Sequence, residues 1–208
     1  WIRRRGEPMH LLIGGRHLGH PGDPDAEFEL RIDGALVDRW RLSVAEANFL
    51  RFADSPAGLP GAGTFARLQV VSRAAAGNGT AEVAVRQFDA QPASQVIYGF
   101  GPGWHEDEYE PATGRRWRWS SERSLLRLKG PGRDVRVTLR GESPLRYVGS
   151  APTVKVVAGG RTLGQFSPAA DFEWSVVVPG AAWTASGGDI AIETDRVYLD
   201  RKSTRLNS

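Results

Sequence analysis

The sequence predicts an all-β chain built as two tandem antiparallel β-sandwich modules. Three observations carry this. Apolar residues alternate with polar ones at period two in short runs. Gly 25 and Pro 13 are spread through the 208 residues as turn punctuation between those runs. The chain also aligns with itself at an offset of 126 positions.

The alternation is clearest in four segments. Phe28, Leu30 and Ile32 alternate with Glu27, Glu29 and Arg31. Val83 and Val85 do so within 81–88, and Val135, Val137 and Leu139 alternate with Arg136, Thr138 and Arg140. Phe172, Trp174, Val176 and Val178 repeat the pattern up to Pro179. One-sided burial of this kind belongs to antiparallel sheets with one wet face. Asp33-Gly34 and Gly159-Gly160 sit between such runs and predict two-residue hairpin turns. Only 43–52 has tolerable helix formers, and it reads as a short helical turn or a loop leading into a strand.

In the repeat, Met9, Leu11 and Ile13 fall on Val135, Val137 and Leu139, and Gly15 falls on Gly141. Phe28 and Leu30 fall on Val154 and Val156, Gly34 on Gly160, and Trp40 on Phe166. After a three-residue adjustment Phe49 meets Phe172 and Pro56 meets Pro179, and Leu68 and Val70 then meet Ile190 and Ile192. The modules are expected at 6–92 and 117–199, joined by a Gly-, aromatic- and acid-rich connector at 93–116. Each is expected to lack one terminal strand, so the chain reads as a fragment cut at both ends. Residues 200–208 read as a translated sequencing adapter and are set aside.

Composition excludes several classes. Cysteine is absent, which removes disulfides, Cys-ligated zinc and cysteine nucleophiles. No apolar run reaches the roughly 18 residues of a membrane span. The formal charge of +3 falls to +1 without the tail, which holds three cations and one anion. A near-neutral surface gives no footprint for nucleic acid. Gly99-Phe-Gly-Pro-Gly lacks the Lys-Ser/Thr and the strand–helix context of a phosphate loop. There is no Gly-X-Ser-X-Gly elbow, and nothing singles out a carboxylate pair for glycoside hydrolysis. The region is expected to be non-catalytic.

Two binding chemistries remain. Glu106, Asp107 and Glu108 are oxygen donors of the kind calcium takes. Their spacing matches no EF-hand, and a solvated acidic loop answering Arg115, Arg116 and Arg118 is the competing reading. His10, His17 and His20 are read as surface residues. Glycan binding is the second. Sugar rings stack on aromatic faces while Arg and acids hold hydroxyls, and the chain has seven Trp. Trp104 and Trp183 lie in Gly-rich stretches and are the expected exposed rings, with Arg116 and Arg118 as polar partners. Trp117 and Trp119 share one face of a strand. Trp119 and Trp174 are expected in the core.

Several strings together resemble a known family: 103–109 and 114–120 around Trp104 and Trp117, 141–147, 171–174 and 192–195. They are similar to the C-terminal extracytoplasmic β-sandwich region of bacterial membrane glycosyltransferases of the dolichyl-phosphate-mannose type. The resemblance covers residues 6–199. It implies jelly-roll, galactose-binding-like modules outside the cytoplasmic membrane, periplasmic or at the cell surface. It also implies an upstream membrane domain that performs the sugar transfer, with Trp1–Arg5 at its end. This region would be an accessory that binds glycan or positions acceptor, with a glycan or lipid-linked sugar as partner. A stand-alone carbohydrate-binding or adhesion module of a secreted protein is the alternative.

Overall fold

The structure, a computed structural model, describes residues 1–197 except 47, 78, 143–144 and 146–148. The chain is nearly all strand and its ladders are antiparallel, as the alternation predicts. It divides into two compact units, Trp1–Phe100 with Leu128–Pro131, and Gly101–Arg127 with Gly132–Ser208. Among the described residues no helix is long and apolar enough to cross a membrane.

The first unit contains β1 (Ile2–Arg3), β2 (Met9–His17), β3 (Ala26–Ile32), β4 (Ala35–Leu42) and β5 (Asn48–Ser55). It continues with β6 (Phe65–Ala66), β7 (Leu68–Ala74), β8 (Val83–Pro92) and β9 (Ile97–Phe100). Two three-stranded sheets form, ordered β5-β2-β8 and β4-β3-β7. Their inner faces share one core, in which Leu11 and Ile13 of β2 meet Leu30 and Ile32 of β3. Phe28, Trp40 and Phe49 join the sheets as an aromatic cluster, with Phe28 stacked on Trp40 at 5.0 Å. β2 is buried on both faces. Leu12 on its outer side and Leu50 of the neighbouring β5 lie against Gly99 of β9, where a Cβ would come within 2.8 Å of either side chain. The outer face of β3 carries Glu29, which is buried and receives Arg31 at 2.8 Å and Arg39 at 2.6 Å.

The second unit contains β10 (Trp104–Glu110), β11 (Arg115–Ser120), β12 (Arg123–Lys129, whose last two residues belong to the first unit) and β13 (Val135–Gly141). It continues with β14 (Val154–Ala158), β15 (Arg161–Phe166), β16 (Phe172–Val178), α1 (Gly180–Ala185) and β17 (Asp189–Thr194). Strands run in the order β15-β14-β17-β12 in one ladder; β13 pairs with β16 and β10 with β11. Phe166 stacks on Trp174 at 4.6 Å and meets Phe172 at 5.0 Å.

The two units repeat one another's register. Leu11 pairs with Ala53 as Val137 pairs with Val176. Phe28 pairs with Trp40 as Val154 pairs with Phe166. Leu30 pairs with Val70 as Val156 pairs with Ile192. The irregularity between Leu30 and Arg31 returns between Val156 and Val157. Both predicted hairpin turns form, with positive φ at Asp33, Gly34, Gly159 and Gly160, the left-handed pair that a twist-matched two-residue turn needs.

Two sequence expectations change, at 93–116 and at His17. The 93–116 segment is not only a connector, since it holds β9 and β10. Residues 43–46 form a turn that leads into β5, the second of the two readings of that stretch. His17 is not on the surface: it is buried, its Nδ1 accepts from the Gly19 N–H at 2.8 Å, and its Nε2 faces the Pro24 carbonyl. Between Pro179 and β17 the chain forms α1 instead of the turns and β6 that fill the matching stretch after Pro56. Residues 200–208 lie outside the described residues.

Candidate functional site

β10 and β11 form a two-stranded ribbon whose side chains are mostly exposed. Its start is fixed by Gly103, at φ +89°, where a Cβ would lie 2.1 Å from the Arg123 carbonyl oxygen. Its turn uses Gly114 at φ +70°. Glu108 lies opposite Trp117, Tyr109 opposite Arg116, and Asp107 opposite Arg118. Period two therefore sorts the ribbon into two faces.

One face carries Trp117, Trp119 and Glu108. The Trp119 Nε1–H donates to Glu108 Oε1 at 2.9 Å, which fixes the ring and leaves Oε2 to accept from a hydroxyl. The two indoles belong to alternate residues of one strand, roughly 7 Å apart along it. The other face carries Tyr109, with the Arg116 guanidinium 5.2 Å from its ring centre, and the Asp107–Arg118 ion pair. Arg118 also donates to the His105 carbonyl at 3.1 Å. Arg115, near the tip, pairs with Glu142.

Tyr109 is 54 % exposed, Trp119 43 % and Trp117 36 %. Three large aromatics on one hairpin, which is at best marginally stable in isolation, are costly to leave in water, and such rings mark binding surfaces. The indole face suits a flat, hydroxyl-rich ring: indole faces for its C–H surface, and the Glu108 carboxylate for a hydroxyl.

The predicted site residues separate. Trp183 is 3 % exposed on α1, with its Nε1–H bonded to the Arg133 carbonyl at 3.0 Å, so its ring is packing and no ligand face. Pro179 ahead of the helix and Gly187-Gly188 behind it were the signal for that helix. Trp104 is half-buried and donates to the Leu125 carbonyl at 3.0 Å. Arg116 and Arg118 are on the ribbon, but on the face opposite the two indoles. Trp119, expected in the core, is exposed, whereas Trp174 is half-buried in its aromatic cluster. The readable signal was the Trp-Arg-Trp alternation itself; a strand exposed on both faces gives no core to sort it by.

Glu106, Asp107 and Glu108 do not converge. Asp107 and Glu108 point to opposite faces, each with its own partner. Among the described residues no group of three acids or histidines could hold a metal ion. Fold and ribbon together define an all-β protein of sandwich type with an exposed aromatic ribbon. No protein-family model, curated protein or solved structure matches the chain.

Proposed function

We propose that this region binds glycan through the Trp117–Trp119 face of the ribbon, and that it is a non-catalytic accessory to a bacterial membrane glycosyltransferase. The observation that carries the binding reading is the pair of exposed indoles fixed beside Glu108. The glycosyltransferase link rests on the resemblance of 103–109, 114–120, 171–174 and 192–195 to that family. On this reading the units are jelly-roll, galactose-binding-like modules, supported by their shared strand register. They stand outside the cytoplasmic membrane and present a glycan or lipid-linked sugar to a membrane domain that performs the chemistry.

The test is a glycan array followed by titration of the best ligand into the full chain and its variants. Trp119→Ala and Trp117→Ala are each expected to weaken binding about tenfold or more, since a tenfold change is about 1.4 kcal/mol and a stacked ring supplies that much. Trp183→Phe, which keeps the core filled, is expected to leave affinity unchanged. Undiminished binding by the double variant at Trp117 and Trp119 would reject this face. The parent assignment has its own test: a signal peptide and soluble domains upstream, in place of membrane spans, would leave a secreted carbohydrate-binding module.

A further inference from the structure

We propose that the edge of β13 that no described strand covers is an acceptor site for a donated β-strand with the chemistry of β8. Three observations lead there. In the first unit β2 has two neighbours, β5 on one side and β8 on the other, with Leu11 opposite Ala90 and Ile13 opposite Phe88. In the second unit β13 repeats the β2–β5 register with β16, yet among the described residues no strand lies on its other edge. The burial follows suit. Met9, Leu11 and Ile13 are buried, whereas their counterparts Val135, Val137 and Leu139 are all half-exposed.

An unpaired edge leaves a row of N–H and C=O groups ready for another strand, and strand addition is a recurrent mode of recognition. Because the two registers coincide, the occupant is specified in detail. It runs antiparallel to β13 and sets apolar residues at the Phe88 and Ala90 positions opposite Leu139 and Val137. Gly141 stands where Gly15 admits the Ala84 carbonyl of β8, so that end of the acceptor edge keeps a glycine. In β8 Ala90 packs against the core whereas Phe88 stays 44 % exposed, so the Ala90 position opposite Val137 is the one that sets the donor's register.

The test adds a synthetic peptide of the Val83–Pro92 sequence to the full chain and follows amide hydrogen exchange along β13. Half of the β13 amides point to β16; the other half point to the uncovered edge and are expected to exchange fast. The peptide is expected to slow that second set about tenfold or more while leaving the β13 amides bonded to β16 unchanged. A peptide carrying Phe88→Asp and Ala90→Asp is expected to give no protection. Protection by both peptides alike overturns the proposal, as does slow exchange of every β13 amide before any peptide is added. Protection that instead rises with the protein's own concentration, together with a dimer in sedimentation, overturns it in favour of a second copy.

Discussion

Trp40 sits in the aromatic cluster of the first unit with its Nε1–H buried, and among the described residues no acceptor faces it. A buried donor left without a partner costs about 1–3 kcal/mol. Phe166 occupies the matching register position in the second unit and has no such donor. Trp40→Phe is therefore expected to hold stability within about 1 kcal/mol of the parent, lost indole area offsetting the removed donor. Trp40→Ala removes the stacking on Phe28 and should cost about 3 kcal/mol. Urea unfolding of the two variants checks both. A large loss in Trp40→Phe would mean that the indole N–H has a partner after all. The clusters also exchange roles between strands. Phe28 on β3 stacks on Trp40, but in the second unit Trp174 on β16 supplies the ring that Val154 cannot. Sequence showed the aromatics at these positions. It could not show which of two facing strands would contribute the third ring, because both choices fill the same volume.

Strands differ in how much their alternation is worth. Leu11 of β2 is buried between the two sheets, and removing its branched end opens a cavity. Leu11→Ala is expected to cost about 3 kcal/mol. Val137, its partner in the repeat, is half-exposed, and Val137→Ala should cost only about 1 kcal/mol. Denaturant midpoints of the two variants test the difference; equal costs would show that β13 is as well covered as β2. The same contrast explains what could be read from sequence. β3, β13 and β16 were legible because one face is apolar. β10 was not, because its residues from His105 to Glu110 are exposed on both faces and leave no period. α1 was missed for a different reason: six residues with one large side chain, Trp183, are too few to show a helical period.

Charge acts over each unit as a whole. Hydrogen bonds from Arg31 and Arg39 hold the Glu29 carboxyl below its ordinary value. The Arg67 backbone N–H, then Arg4, does the same for Asp33. Burial alone would raise Asp54, and Lys129 and His10 more than reverse it. Asp25 is likewise depressed: burial would raise it, and Arg41 and the Val44 N–H outweigh that. In the second unit Asp195 is depressed, first by the Thr153 backbone N–H. A carboxylate depressed in the folded state contributes stability above its unfolded value, 3.8 for Asp and 4.5 for Glu, and loses it as pH falls through the folded value. Stability should therefore be level near neutrality and drop below about pH 4.5. The first unit, with four such groups among the described residues, should drop earlier than the second. Unfolding followed at a series of pH values by exchange at β3 and β14 amides tests the order. A simultaneous loss would show that these pairs contribute little, as exposed ion pairs often do.

The stretch between Pro56 and Leu68 holds turns and the short β6, while that between Pro179 and Ile190 holds α1 and is one residue shorter. Two unlike conformations thus close the same gap between strands of the same register. Each closing segment is matched to its own unit: a chimera carrying 180–189 in place of 57–67 would enter and leave the strand frame at matching points but would take Leu59 and Ala66 out of the first core and the Arg67 N–H away from Asp33. An insertion within β3 or β14, where the shared irregularity fixes the pairing, would put every following residue on the wrong face.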